Sequence, residues 1–165
     1  FNGKEMLYEL TGTDLAEIFG ITETNAIEII SEVGLDMSKW PTVKHFTSWL
    51  NLAPNNKISG GKVLSSRIPK KKNHAGQIFR MAAFAIQRSK NWLAMFYNRI
   101  KAKNGAPKAI VATARKIAAI FYKMIKERVK FNPIPIEKYM DGFKENQIKK
   151  LKRQAKNLGL QIVEM

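Results

Sequence analysis

The stretch Asn104 to Lys126, NGAPKAIVATARKIAAIFYKMIK, decides the fold class. Asn104–Gly105 is a helix-ending pair, and Pro107 is suited to the first turn of a new helix because its missing N–H has no partner there anyway. Ile110, Ala114, Ile117, Phe121 and Met124 then recur at three- and four-residue steps, while Arg115, Lys116, Lys123 and Lys126 take other positions. That is the period of an amphipathic α-helix with one face for a core. The segments on either side carry the same period. A helix over about 91–103 has the stripe Leu93, Phe96, Tyr97 and Ile100. Residues 75–89 form another, with Ile78, Ala82, Ala85 and Ile86 along one side and Arg80 and Arg88 elsewhere.

Working towards the N-terminus, Val43, Phe46, Trp49 and Leu50 mark a short helix over about 42–50, and Trp40 and Trp49 are assigned to the core. His45, beside that face, is given a structural or surface role. Thr22 is a good N-cap for a helix carrying Ala26, Ile27, Ile30 and Val33, which Gly34 closes. A helical region over 7–19, with Thr13 as an N-cap, precedes it. The joint Phe19–Gly20–Ile21 makes residues 10–34 resemble a helix-hairpin-helix, whose backbone amides can meet a DNA phosphate. Thr22 stands where that motif has its second glycine, so a plain packed hairpin is the competing reading. Towards the C-terminus, Asn132–Pro133–Ile134–Pro135 stops the helical pattern, and residues 136–158 read as a basic helix that could break at Gly142. No strand signal is strong enough to claim a sheet. The expected class is all-α: a helix-hairpin-helix-like N-terminal part, a basic loop, and a helical bundle ending in a basic helix. Residues 1–130 form the domain, and 131–165 a proline-containing linker and tail.

Composition narrows the function. A hydrophobic fraction of 45% suffices for a core. The absence of cysteine removes disulfides, thiolate metal sites and cysteine nucleophiles, and two distant histidines make no metal site. Apolar runs reach only about six residues, such as Met81–Ile86, where a membrane span needs roughly 20. The net charge of +16 is unevenly placed. Residues 1–50 hold three basic side chains (Lys4, Lys39, Lys44) against eight acidic ones, and residues 51–165 hold 26 basic against five acidic. A polyanion-binding surface therefore belongs to the second part, with nucleic acid favoured over an anionic membrane. The run Lys149, Lys150, Lys152, Arg153 and Lys156 is either a solvated face or a further phosphate contact.

The long irregular stretch 51–72 concentrates these features. It contains Lys57, Ser59–Gly60–Gly61–Lys62, Arg67, Lys70, Lys71 and Lys72 and no acid. Like charges without acidic partners suggest a mobile loop. A nucleotide-binding P-loop is excluded, because Asn56 stands where its first glycine belongs and Val63 where Ser or Thr must follow the lysine. Glycines allow close approach to a substrate, Lys62 and Arg67 can neutralise a phosphodiester, and Ser59 brings a hydroxyl that could attack phosphorus. Ser65 and Ser66 offer the same chemistry.

Several ordered segments sharpen this. They are Glu17–Ile18–Phe19–Gly20–Ile21, Ile30–Ser31–Glu32–Val33–Gly34, Phe46–Thr47–Ser48–Trp49–Leu50–Asn51–Leu52–Ala53–Pro54, Ser59–Gly60–Gly61–Lys62, Gly105–Ala106–Pro107–Lys108–Ala109 and Ala114–Arg115–Lys116–Ile117–Ala118. Together they resemble, over about residues 10–130, the C-terminal domain of the serine-type insertion-sequence transposases of the IS-one-ten group. The resemblance implies DNA strand exchange through a covalent phosphoserine, with Ser59 at the family's serine position; the loop's own charge and glycines make Lys57, Gly60, Gly61, Lys62, Arg67, Lys70, Lys71 and Lys72 the candidate phosphate-binding residues. It also implies a guide (bridge) RNA, homo-oligomers, a bacterial cytoplasmic, nucleoid-associated setting and no membrane. The family's RuvC-like domain, with magnesium-binding acids, has no counterpart here, so no cofactor is expected in this chain. The chain is read as a fragment, inactive unaided. The alternative is a non-catalytic basic nucleic-acid-binding module.

Overall fold

The computed structural model describes residues 2–70 and 73–165. The chain divides into two compact units, 1–132 and 133–165. In the first, α1 (Gly3–Thr11), α2 (Glu23–Val33), α3 (Val43–Trp49), α4 (His74–Ala85), α5 (Trp92–Asn104) and α6 (Ala106–Glu127) pack together, with single 3-10 turns at 15–17, 37–39 and 86–88. Among the described residues the fold is all-α apart from one small hairpin, β1 (Lys57–Ser59) and β2 (Lys62–Ser65). The second unit is the single helix α7 (Ile136–Asn157), which runs unbroken through Gly142 and buries none of its residues.

The helix boundaries follow local chemistry. Thr22 and Asn25 form a reciprocal capping box at α2, each side chain meeting the other residue's backbone N–H, and Gly34 ends the helix at φ 80°. Asn73 and Asn91 cap α4 and α5 through their side-chain oxygens. Pro107 falls in the first turn of α6. Thr13 is not the cap expected of it. Asp14 caps the 15–17 turn instead, and the Thr13 hydroxyl donates to the Val129 carbonyl 2.9 Å away, tying the N-terminal segment to the end of α6.

Helix α6 is the centre of the bundle, with α3, α4 and α5 packed on it and α2 on α4. Phe46, Phe79, Tyr97, Ile117 and Phe121 are almost wholly buried. Aromatic rings meet edge to face from Trp40 through Phe46 and Phe79 to Phe121, with centroids 5.1, 6.5 and 5.4 Å apart. Burying each such ring is worth about 1.5–3 kcal/mol, and each favourable ring pair adds roughly 0.5–1.5 kcal/mol.

Three further expectations change. Trp49 is 41% exposed, although its ring tilts against the buried Trp40 at 5.2 Å. Helix α3 is only seven residues long, and Trp49 is its last, so it lies at the margin of the packed face. Ala85, assigned to the inner stripe of its helix, is exposed, and Phe79 and Ala83 are buried instead. The third change is the hairpin itself: residues 57–65, read as irregular, are paired strands. The strands are three and four residues long, too short for an alternating pattern to stand out.

Candidate nucleic-acid interface

Gly60 and Gly61 adopt φ values of 55° and 75°. Two consecutive residues of positive φ make the two-residue turn whose twist matches antiparallel strands, and glycine takes it without a Cβ penalty. The turn sets the register Ser59↔Lys62, Ile58↔Val63 and Lys57↔Ser65, with a bulge between the last two pairs. Alternation along a strand therefore puts Ser59 and Lys62 on one face and Ile58 and Val63 on the other. Ser59, Gly60, Gly61, Lys62, Arg67 and Lys70 are all exposed, and Ser65 is half-buried. Nothing lies within 4 Å of the Cβ position of either glycine. The turn is thus open to the close approach of a large substrate. Lys71 and Lys72 lie outside the described residues.

The root of this excursion is held firmly. Gly76, in the first turn of α4, sits so close to the Leu50 carbonyl that a Cβ would collide with it. Asn73 Nδ2 donates to the Trp49 carbonyl at 3.0 Å, and Arg80 Nη2 donates to the Asn51 carbonyl at 2.9 Å. The Asn55 N–H donates to the Arg67 carbonyl at 3.0 Å, closing the base of the hairpin. The end of α3 and the start of α4 thus form a rigid mount for a solvent-exposed, cationic hairpin. Arg80, read from its period only as lying off the packed stripe, serves this mount.

The electrostatic setting extends beyond the hairpin. No Asp or Glu occurs between Asp36 and Glu127, so α3 to α5, the hairpin and all of α6 but its last residue carry no acidic side chain. Charge of one sign over this part of the bundle raises the local concentration of a polyanion and speeds its encounter. Among the described residues no three His, Asp or Glu side chains come together as a metal site. No helix of the described residues is long and apolar enough to cross a membrane.

The N-terminal hairpin is arranged differently. Gly20 has φ 81°, and a Cβ there would lie 2.6 Å from the Ala82 carbonyl and 2.9 Å from Ile86. Its open side is filled by α4, so this glycine serves helix packing. Glu17, Glu23, Glu28 and Glu32 around it are exposed, while Asp14 pairs with Lys4 at 2.9 Å. That ion pair and its hydrogen bond hold the Lys4 pKa above the ordinary lysine value.

Residues 12–98 match the family model described as Transposase IS116/IS110/IS902 family. The match runs from the turn after α1 to the middle of α5 and contains the whole hairpin with both of its anchoring helices. No curated protein matches the chain significantly.

Proposed function

The chain belongs to the IS116/IS110/IS902 family of transposases, which makes DNA its partner, and from this we propose that the exposed hairpin is its strand-transfer element with Ser59 as nucleophile. The observation that carries the proposal is the pairing of Ser59 with Lys62 across an uncrowded double-glycine turn. In the reaction the Ser59 Oγ attacks a DNA phosphorus. The new Oγ–P bond forms as one P–O ester bond of the strand breaks. The hydroxyl proton passes to a base, and the departing oxygen takes up a proton. The phosphoserine ester keeps the bond energy for rejoining to a second strand end. In this reading Lys62, across the strand from Ser59, with Lys57, Arg67 and Lys70 of the same segment, supplies the cationic donors that offset the charge developing on the phosphorane. Lys71 and Lys72 extend the same run of charge in sequence.

The loop supplies no carboxylate or imidazole to take the Ser59 proton, since residues 51–73 contain no Asp, Glu or His. This supports the reading that a RuvC-like domain, a second protomer or both complete the active site, with any magnesium held there rather than by this chain. A guide RNA and a homo-oligomer in the bacterial cytoplasm, beside the nucleoid, belong to the same proposal, as does the division into a domain over 1–130 and a tail over 131–165. In this reading the chain alone binds DNA and does not recombine it.

The test is adduct trapping with the complete transposase, its guide RNA and labelled DNA. Ser59→Ala should abolish the covalent protein–DNA species, while Ser65→Ala and Ser66→Ala should retain it. An undiminished adduct in Ser59→Ala would overturn the assignment. A complete set of variants without any adduct would favour a hairpin that only clamps DNA.

A further inference from the structure

A second cationic feature lies on α5 and α6. The Phe96 ring is 9% exposed, with the Lys116 ammonium 5.0 Å and the Arg99 guanidinium 5.4 Å from its centroid. The face of an aromatic ring attracts cations, so Phe96 holds both heads in one place despite their like charge. Arg115, next to Lys116 on α6, is near enough to repel it. Lys116 shows the strain of this arrangement. Desolvation is the larger cause, and repulsion by Arg115 and Arg99 adds to it; together they hold its pKa below the ordinary lysine value. All three cations remain exposed at the surface. No carboxylate occurs on α5, and the nearest in sequence to this part of α6 is Glu127, its last residue. Arg99, Arg115 and Lys116 also fall beyond the segment matched by the family model.

We propose that Arg99 and Lys116, gathered on Phe96, together with the neighbouring Arg115 form a second phosphate-binding site that grips the nucleic-acid backbone without taking part in the chemistry at Ser59. Three cations preassembled from two helices fit the phosphodiester oxygens of a polynucleotide. An incoming phosphate brings opposite charge to all three, which favours their charged forms. Arginine supplies directional forks for phosphate oxygens, while Lys116 supplies a point charge. The site rests on DNA being the partner, and it is independent of which serine is the nucleophile.

Two measurements on the chain test it. In the first, binding of a duplex DNA is followed across salt for the chain and for the triple variant Arg99→Gln/Arg115→Gln/Lys116→Gln, with helicity checked by circular dichroism. Each lost phosphate contact should make the log–log salt slope shallower by about 0.9 and weaken binding about eightfold at 0.1 M salt. An unchanged slope in a folded variant would overturn the site. In the second, NMR follows the Lys116 ammonium titration in the unmutated chain, which removes any dependence on a variant folding. Saturation with duplex DNA should raise its pKa back towards the ordinary lysine value, because a nearby phosphate favours the charged form. No change on saturation, or the same rise with millimolar inorganic phosphate alone, would overturn a polynucleotide site. Loss of the Ser59 assignment leaves both readouts unaffected, whereas a chain that does not bind DNA at all fails the functional reading itself.

Discussion

Ser59 and Lys62 are cross-strand partners, one on each side of the Gly60–Gly61 turn. Their side chains share a face of the hairpin, so in the proposed reaction a phosphate attacked by the Ser59 hydroxyl would meet the Lys62 ammonium at the point where charge develops. Replacing Lys62 by Gln should therefore slow formation of the covalent species by about 10²–10³-fold, the usual effect of removing one transition-state donor. Single-turnover adduct formation in the complete transposase measures this. An unchanged rate would place Lys62 outside the reacting centre.

The glycines of the chain divide into two kinds. Alanine at Gly60 or Gly61 meets no neighbour, and its cost is the left-handed backbone alone, about 1–2 kcal/mol. The hairpin buries nothing in the core, so thermal unfolding of the helices should be unchanged while adduct formation falls. Gly20→Ala adds a collision with the Ala82 carbonyl to an equally unfavourable φ of 81°, for roughly 2–5 kcal/mol in all. Gly76→Ala forces α4 away from the Leu50 carbonyl and should cost about 1–3 kcal/mol while also loosening the hairpin mount. Chemical denaturation separates the two groups.

Tyr122 joins α6 to the segment before α3. Its buried hydroxyl donates to the Trp40 carbonyl at 2.7 Å and accepts from the Lys126 ammonium at 2.9 Å. Tyr122→Phe leaves that carbonyl without its donor and should lower stability by about 1–3 kcal/mol in equilibrium unfolding.

Asp36 makes stability depend on acid. Hydrogen bonds to its carboxylate from the Ser38 hydroxyl and then from the Ser38 N–H hold its pKa below the ordinary aspartate value of 3.8. The folded pKa is depressed, so unfolding takes up a proton as pH falls. The contribution is fully present above the unfolded pKa and is lost as pH drops through the folded one. Asp36→Asn should therefore differ from the unmutated chain in unfolding midpoint at neutral pH, with the difference shrinking below about pH 4. A constant difference across that range would contradict the hydrogen-bond assignment.

Helix identity was legible because caps and periodicity are local. Thr22, Gly34, Asn91 and Pro107 act within a turn of their own positions, and the stripe Ala114–Ile117–Phe121–Met124 repeats within one helix. The hairpin was less legible. Its signal, Gly60–Gly61 between Ile58–Ser59 and Lys62–Val63, is present but spans only nine residues, and its basic composition reads equally well as an irregular loop.

The sequence alone determined an acid-free, cationic middle, an all-helical framework and a serine beside paired glycines, since composition, caps and period need no knowledge of distant neighbours. Only the tertiary structure decided that Ser59 stands at the tip of a clamped hairpin opposite Lys62. Only there does Gly20 turn into a packing residue beneath α4, and only there do Arg99 and Lys116, from different helices, meet over Phe96. Each of these relationships depends on how the helices are stacked and on the chain reversals at Gly60–Gly61 and Gly105. Such contacts join residues far apart along the chain, and no local pattern specifies them.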